Sequence, residues 1–103
     1  MKDIIHTRLA KCIIRRSRAI KNTKEYLFEN MAEISQEFNI DIPKNLTQLN
    51  EEDLTEWLIS NSQKILSKRH NDLEHVEFVY LVEDLIVCDN NVRIAETIEE
   101  LSI

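Results

Sequence analysis

Residues 72–95 read DLEHVEFVYLVEDLIVCDNNVRIA, and how this stretch folds decides the class of the whole chain. From 72 to 88 it is apolar almost all round, through Leu73, Val76, Phe78, Val79, Tyr80, Leu81, Val82, Leu85, Ile86 and Val87. A helix that is hydrophobic on every side belongs at the centre of a bundle. The β-branched and aromatic content also suits a strand, with Asp89-Asn90-Asn91 turning into a second strand to give a hairpin within 76–95. Glu83-Asp84 and the missing glycine tell against that hairpin, since its tight turns need residues tolerant of positive φ. The expected fold is therefore all-α, a compact four- to five-helix bundle with helix 72–88 central; the alternative is α+β with the hairpin.

Working outward, Asn71 is placed to cap that helix with Glu74 at its third position, and a last helix over about 91–101 carries Ile94, Ile98 and Leu101. Upstream, Asn50 caps a third helix that opens on Glu51, Glu52 and Asp53 and ends on Lys68, Arg69 and His70, matching the helix dipole at both ends. Leu54, Trp57, Leu58 and Ile65 form its core face. Residues 39–49 break the period, because Pro43 restricts Ile42 and because Asn39 and Asn45 favour turns; they form a connection with at most one short turn of helix. Asn22 and Glu25 read as a capping box that opens a second helix through Leu27, Met31, Ile34 and Phe38. The first helix, 3–20, turns Ile5, Leu9, Cys12, Ile13 and Ile20 to one side.

The chain has 103 residues, one domain's worth, and 43% hydrophobic content, enough for a core without disulfide or metal. It contains no Gly and a single Pro, which excludes the usual phosphate-cradling loops and the nucleophile elbow. Cys12 and Cys88 each sit in an apolar run, as buried free thiols of a reducing, cytoplasmic setting do. Charges interrupt the N-terminus too often for a signal peptide or membrane span.

Charge is unevenly divided. Residues 1–24 hold eight Lys/Arg against Asp3, whereas 25–103 hold eighteen Asp/Glu against five Lys/Arg, and the whole carries −6. Arg8, Lys11, Arg15 and Arg18 recur at steps of three and four and form a basic stripe, with Arg16 and Lys21 beside it. Glu25, Glu29, Glu33 and Glu37 form the opposite stripe, so an antiparallel pairing of the first two helices is expected to neutralise both. The acids further on, Glu51, Glu52, Asp53, Glu56, Asp72, Glu74 and Glu77, with Glu96, Glu99 and Glu100 as a further run, are then left for a partner, with Trp57 as a candidate anchor.

No catalytic pattern emerges. His70, Asp72, Glu74 and His75 straddle a helix break and lack the fixed face of a metal pair, and Glu83-Asp84 point different ways on a helix. No metal, cofactor or enzymatic activity is expected. The expected function is an acidic, non-enzymatic protein-binding module: an inhibitor of immunity-protein or antitoxin type that occludes the active site of a basic toxin or enzyme. One alternative is a helix-turn-helix-like DNA-binding regulator using 32–48, where Lys44, Asn45, Thr47 and Gln48 would read bases; the net charge and the acids opening the next helix oppose it. The other is a structural subunit, self-associating or built into a larger helical assembly.

Overall fold

Two long helices set the frame because nothing in their sequences stops them. In the computed structural model, which describes residues 2–68 and 70–101, α1 runs over Lys2–Glu29 and α5 over Val76–Leu101. At 28 residues, α1 extends about 42 Å. The two lie antiparallel: His6 meets Glu99, Arg16 meets Asp89, and Tyr26 meets His75 and Phe78. Between them α2 (Met31–Phe38), α3 (Glu51–Ser60) and α4 (Ser62–Leu66) pack against one half of the hairpin. The core joins Ile20 and Leu27 of α1 to Ile34, Phe38, Leu54, Leu58 and Ile65, closing on Phe78, Val79, Val82 and Leu85 of α5. The all-α bundle and the central placement of 76–88 are thus as expected. Among the described residues there is no strand, so the hairpin alternative does not form.

Several expected boundaries are wrong for identifiable reasons. The capping box at Asn22 and Glu25 is not used, and α1 passes straight through it. Thr23 is fully buried and donates its hydroxyl to the Ala19 carbonyl at 2.7 Å, one turn back in the same helix. The break falls instead at Asn30. The short α2 then ends at Asn39, which adopts φ 53° and ψ 53°, the left-handed position that glycine usually fills. In this glycine-free chain asparagine takes that role.

The connection 39–49 holds, with one 3₁₀ turn at Leu46–Gln48. Asn50 caps α3 as expected, its Oδ1 accepting from the Asp53 N–H at 2.8 Å. That helix, however, stops at Ser60 rather than continuing to His70. Asn61 turns the chain, its side-chain amide donating to the Trp57 carbonyl at 2.8 Å, and α4 adds only five residues. The expected basic last turn is therefore absent: Lys68 follows α4, Arg69 lies outside the described residues, and His70 begins a 3₁₀ turn ending at Asp72. Asn71 lies within this turn and caps no helix; α5 starts at Val76. The expected helices 72–88 and 91–101 are one helix, because Asp89 is gripped from two sides inside it.

Candidate functional site

α3 begins its first turn with three carboxylates because Asn50 fixes the helix start there, and negative side chains are favoured at that positive end of the dipole. Leu54 and Leu58 are completely buried and orient the helix, while Thr55, also buried, donates its hydroxyl to the Glu51 carbonyl at 2.7 Å. With that face inward, Glu51, Glu52 and Glu56 are exposed beside an open groove of about 350 Å³ between α1, α3 and α5. On the opposite wall Asp89, Arg93 and Glu96 follow at helical spacing along α5. Arg16 and Ile20 of α1 complete the lining.

The groove contains a charged network. Asp89, only 4% exposed, accepts from Arg16 Nη1 at 3.3 Å and from Arg93 Nε at 3.0 Å, one guanidinium for each carboxylate oxygen. A buried carboxylate is tolerable when both oxygens are answered in this way. Glu51, Glu52, Glu56 and Glu96 make no ion pair among the described residues, so the groove lining remains acidic, five carboxylates against two guanidinium groups. An adjoining groove of about 570 Å³ shares Ile20 and Glu51 with it and is bordered by Arg18, Lys21 and Lys24, with Leu49 and Leu54. Lys24 is held there by the carbonyls of Thr47 (3.2 Å) and Leu49 (2.9 Å).

The expected partner-binding residues thus divide. Glu51, Glu52 and Glu56 come together, and Asp53 is exposed in the same turn. Asp72, Glu74 and Glu77 line no part of this groove. Asp72 and Glu74 belong to the junction before α5, where Glu37 of α2 accepts from the backbone N–H groups of Glu74 (2.7 Å) and His75 (3.2 Å), and Glu77 lies in the first turn of α5. Trp57 is half-buried against the core and donates Nε1 to the Asp41 carbonyl at 3.2 Å, so it clasps the connection rather than projecting as an anchor. Asp89 and Arg93 were missed as site residues, and Glu96 was read only as one of a run of acids: Asp89-Asn90-Asn91 reads as a turn, and only the continuity of α5 lines the three up.

The basic stripe is exposed at Arg8, Lys11, Arg15 and Arg18. Among the described residues it forms no ion pair with the Glu25–Glu37 stripe, because Glu25 and Glu29 belong to α1 itself and Glu37 is taken up by the backbone just before α5. α5 supplies the counter-charges: Asp84 lies 3.8 Å from Arg15, and Asp89 takes Arg16. The Arg15 pair is exposed and contributes at most about 1 kcal/mol. The helix-turn-helix reading loses its geometry, since Lys44, Asn45, Thr47 and Gln48 fall in a loop and a single 3₁₀ turn, leaving no recognition helix.

Two other clusters were weighed for chemistry. Tyr26 and His75 share a hydrogen bond at 2.8 Å, edge to face, with Phe78 stacked on Tyr26. Burial, then the Glu77 and Glu37 carboxylates, push the Tyr26 hydroxyl up from its ordinary value, which makes it a structural cross-link rather than a base. Cys12 is half-buried, Cys88 buried, and both are free; burial and the nearby Asp84 push the Cys88 thiol up, away from nucleophilic reactivity. Among the described residues no group of three or more His, Cys, Asp or Glu is placed to hold a metal ion; the His70 side chain lies outside them. No helix among them is long and apolar enough to cross a membrane. No family model, curated protein or solved structure matches the chain.

Proposed function

We propose that this protein is an acidic, non-enzymatic binding module of immunity-protein or antitoxin type, acting in the cytoplasm by seating a basic protein partner on the groove between α1, α3 and α5. The observation that carries this reading is the convergence of Glu51, Glu52 and Glu56 from α3 with Glu96 from α5 around one depression. Carboxylates drawn from two elements and left without ion-pair partners form a surface complementary to Lys/Arg, and such complementarity speeds encounter and selects partners. Beneath them the Arg16-Asp89-Arg93 network holds the α1 and α5 walls in register. A basic enzyme whose cleft binds phosphate groups would meet carboxylates in their place, and occlusion requires no chemistry from the inhibitor.

The test is capture from a native lysate at low salt, comparing the wild type with Glu51→Gln/Glu52→Gln/Glu56→Gln/Glu96→Gln. A basic protein held by the wild type, eluted by salt and lost from the variant supports the reading. Retention of only acidic or neutral proteins, or equal retention by both, removes it.

A further inference from the structure

The acidic groove does not end on acid. Beyond Ile20 and Glu51, which it shares with the adjoining groove of about 570 Å³, the charge of the lining reverses to Arg18, Lys21 and Lys24. The reversal follows from where α3 starts. Glu51, its first residue, lines both depressions: Glu52 and Glu56 face α5 in one, while Leu49 and Asn50 meet the end of the basic head of α1 in the other. Arg18 and Lys21 are exposed there and make no ion pair among the described residues. Lys24 is fixed in place, two of its three N–H groups being taken by the Thr47 and Leu49 carbonyls, which leaves one donor.

Two joined grooves of opposite sign constrain what can lie across them. A uniformly basic segment would be attracted by Glu52, Glu56 and Glu96 and then repelled by Arg18 and Lys21, and facing like charges reject a partner as effectively as opposite charges select one. Resting on the groove reading above, we propose that the partner's binding segment is bipolar: Lys/Arg side chains seat in the acidic groove, and a carboxylate farther along the same segment is held by Arg18, Lys21 and Lys24. Arg18 can meet that carboxylate with two parallel N–H donors, and the Lys24 ammonium is already positioned for it. Leu49, half-buried at the edge, offers apolar contact to the residues that follow the bases.

Helix geometry sets the spacing. Arg16 lines the acidic groove and Lys24 the basic one, and α1 rises about 12 Å between them. An extended segment covers that distance in about four residues, so its last base and its first acid stand about two to four positions apart. The partner is then basic overall but carries an acid close to the bases that enter the groove, a feature that distinguishes it from a purely cationic surface of the same net charge.

The test compares two capped, fluorescent peptides by anisotropy at low salt: Lys-Arg-Lys-Arg-Ser-Leu-Ser-Ser, which is only basic, and Lys-Arg-Lys-Arg-Ser-Leu-Glu-Glu, which is bipolar. The bipolar peptide has the smaller positive charge, so attraction to the net −6 of the chain alone would favour the basic one. The proposal expects the opposite order, with the bipolar peptide bound about fivefold more tightly. Arg18→Glu/Lys21→Glu, with helicity checked by circular dichroism, weakens the bipolar peptide about tenfold and does not weaken the basic one. Glu51→Gln/Glu52→Gln/Glu56→Gln/Glu96→Gln weakens both. Two results overturn the proposal and leave the groove reading standing: a basic peptide bound as tightly as the bipolar one or more tightly, or a bipolar peptide indifferent to the Arg18/Lys21 substitutions. If the wild type binds neither peptide, or the groove substitutions weaken neither, the acidic groove is not the binding face and the proposal falls with it.

Discussion

Arg16 and Asp89 meet at 3.3 Å across the seam of α1 and α5, although 73 positions separate them in sequence, and Asp89 is nearly inaccessible to water. A polar pair at this depth contributes less to net stability than to register, because sliding one helix along the other would bury each charge alone. Asp89→Ala is expected to destabilise the fold by about 2–4 kcal/mol, since it strands Arg16 beside an emptied site. Arg16→Ala should cost less, because Arg93 still answers the carboxylate. A double-mutant cycle read by urea unfolding should give a coupling of about 1–2 kcal/mol; additivity would mean that the pair is incidental.

The continuity of α1 makes a prediction whose sign is diagnostic. If Asn22 capped a second helix, Asn22→Ala would cost about 1 kcal/mol. Asn22 is instead an exposed residue inside α1, where alanine is the better helix former, so the substitution should stabilise by about 0.5 kcal/mol. Thermal unfolding of the variant distinguishes the two.

Alkaline conditions should weaken the fold through Tyr26 and Cys88. Both hold their protons more tightly when folded than when unfolded, from ordinary values of 10.0 and 9.0 respectively. Above those values the unfolded chain loses protons that the folded chain retains, so unfolding becomes easier. Their contribution is complete below about pH 9 and is lost as pH rises through the folded values. Tyr26→Phe combined with Cys88→Ala should flatten the decline in stability between about pH 9 and 11, measured by denaturant titration.

The fold class was legible in the sequence because it rests on periodicity. The all-round apolar run 76–88 demands a central helix, and the recurrence of Leu27, Ile34 and Phe38 demands a helical face. Boundaries were less legible, because asparagine carries several meanings. Asn50 is a true cap and Asn39 a left-handed terminus, whereas Asn22, Asn90 and Asn91 are helix interior. What decides among these is tertiary: Thr23 fully buried within α1, and Asp89 held by Arg16 from the far end of the chain. The acidic site was half legible for the same reason. Glu51, Glu52 and Glu56 are marked by their cap, but their association with Glu96 exists only once α5 is continuous.

The grouping of acids implies a hierarchy. Asp72→Asn/Glu77→Gln should leave partner binding within about twofold of wild type, because isolated surface charges contribute little. A loss as large as that from the groove acids would move the binding face to the junction before α5.

The most direct measurement is the salt dependence of partner affinity, for the wild type and for Glu51→Gln/Glu52→Gln/Glu56→Gln/Glu96→Gln, using the protein that the wild type captures. The groove reading expects affinity to fall steeply as salt rises, and it expects the variant to bind roughly 100-fold more weakly at low salt with most of that dependence gone. Equal affinities, or a wild-type affinity indifferent to salt, would contradict it.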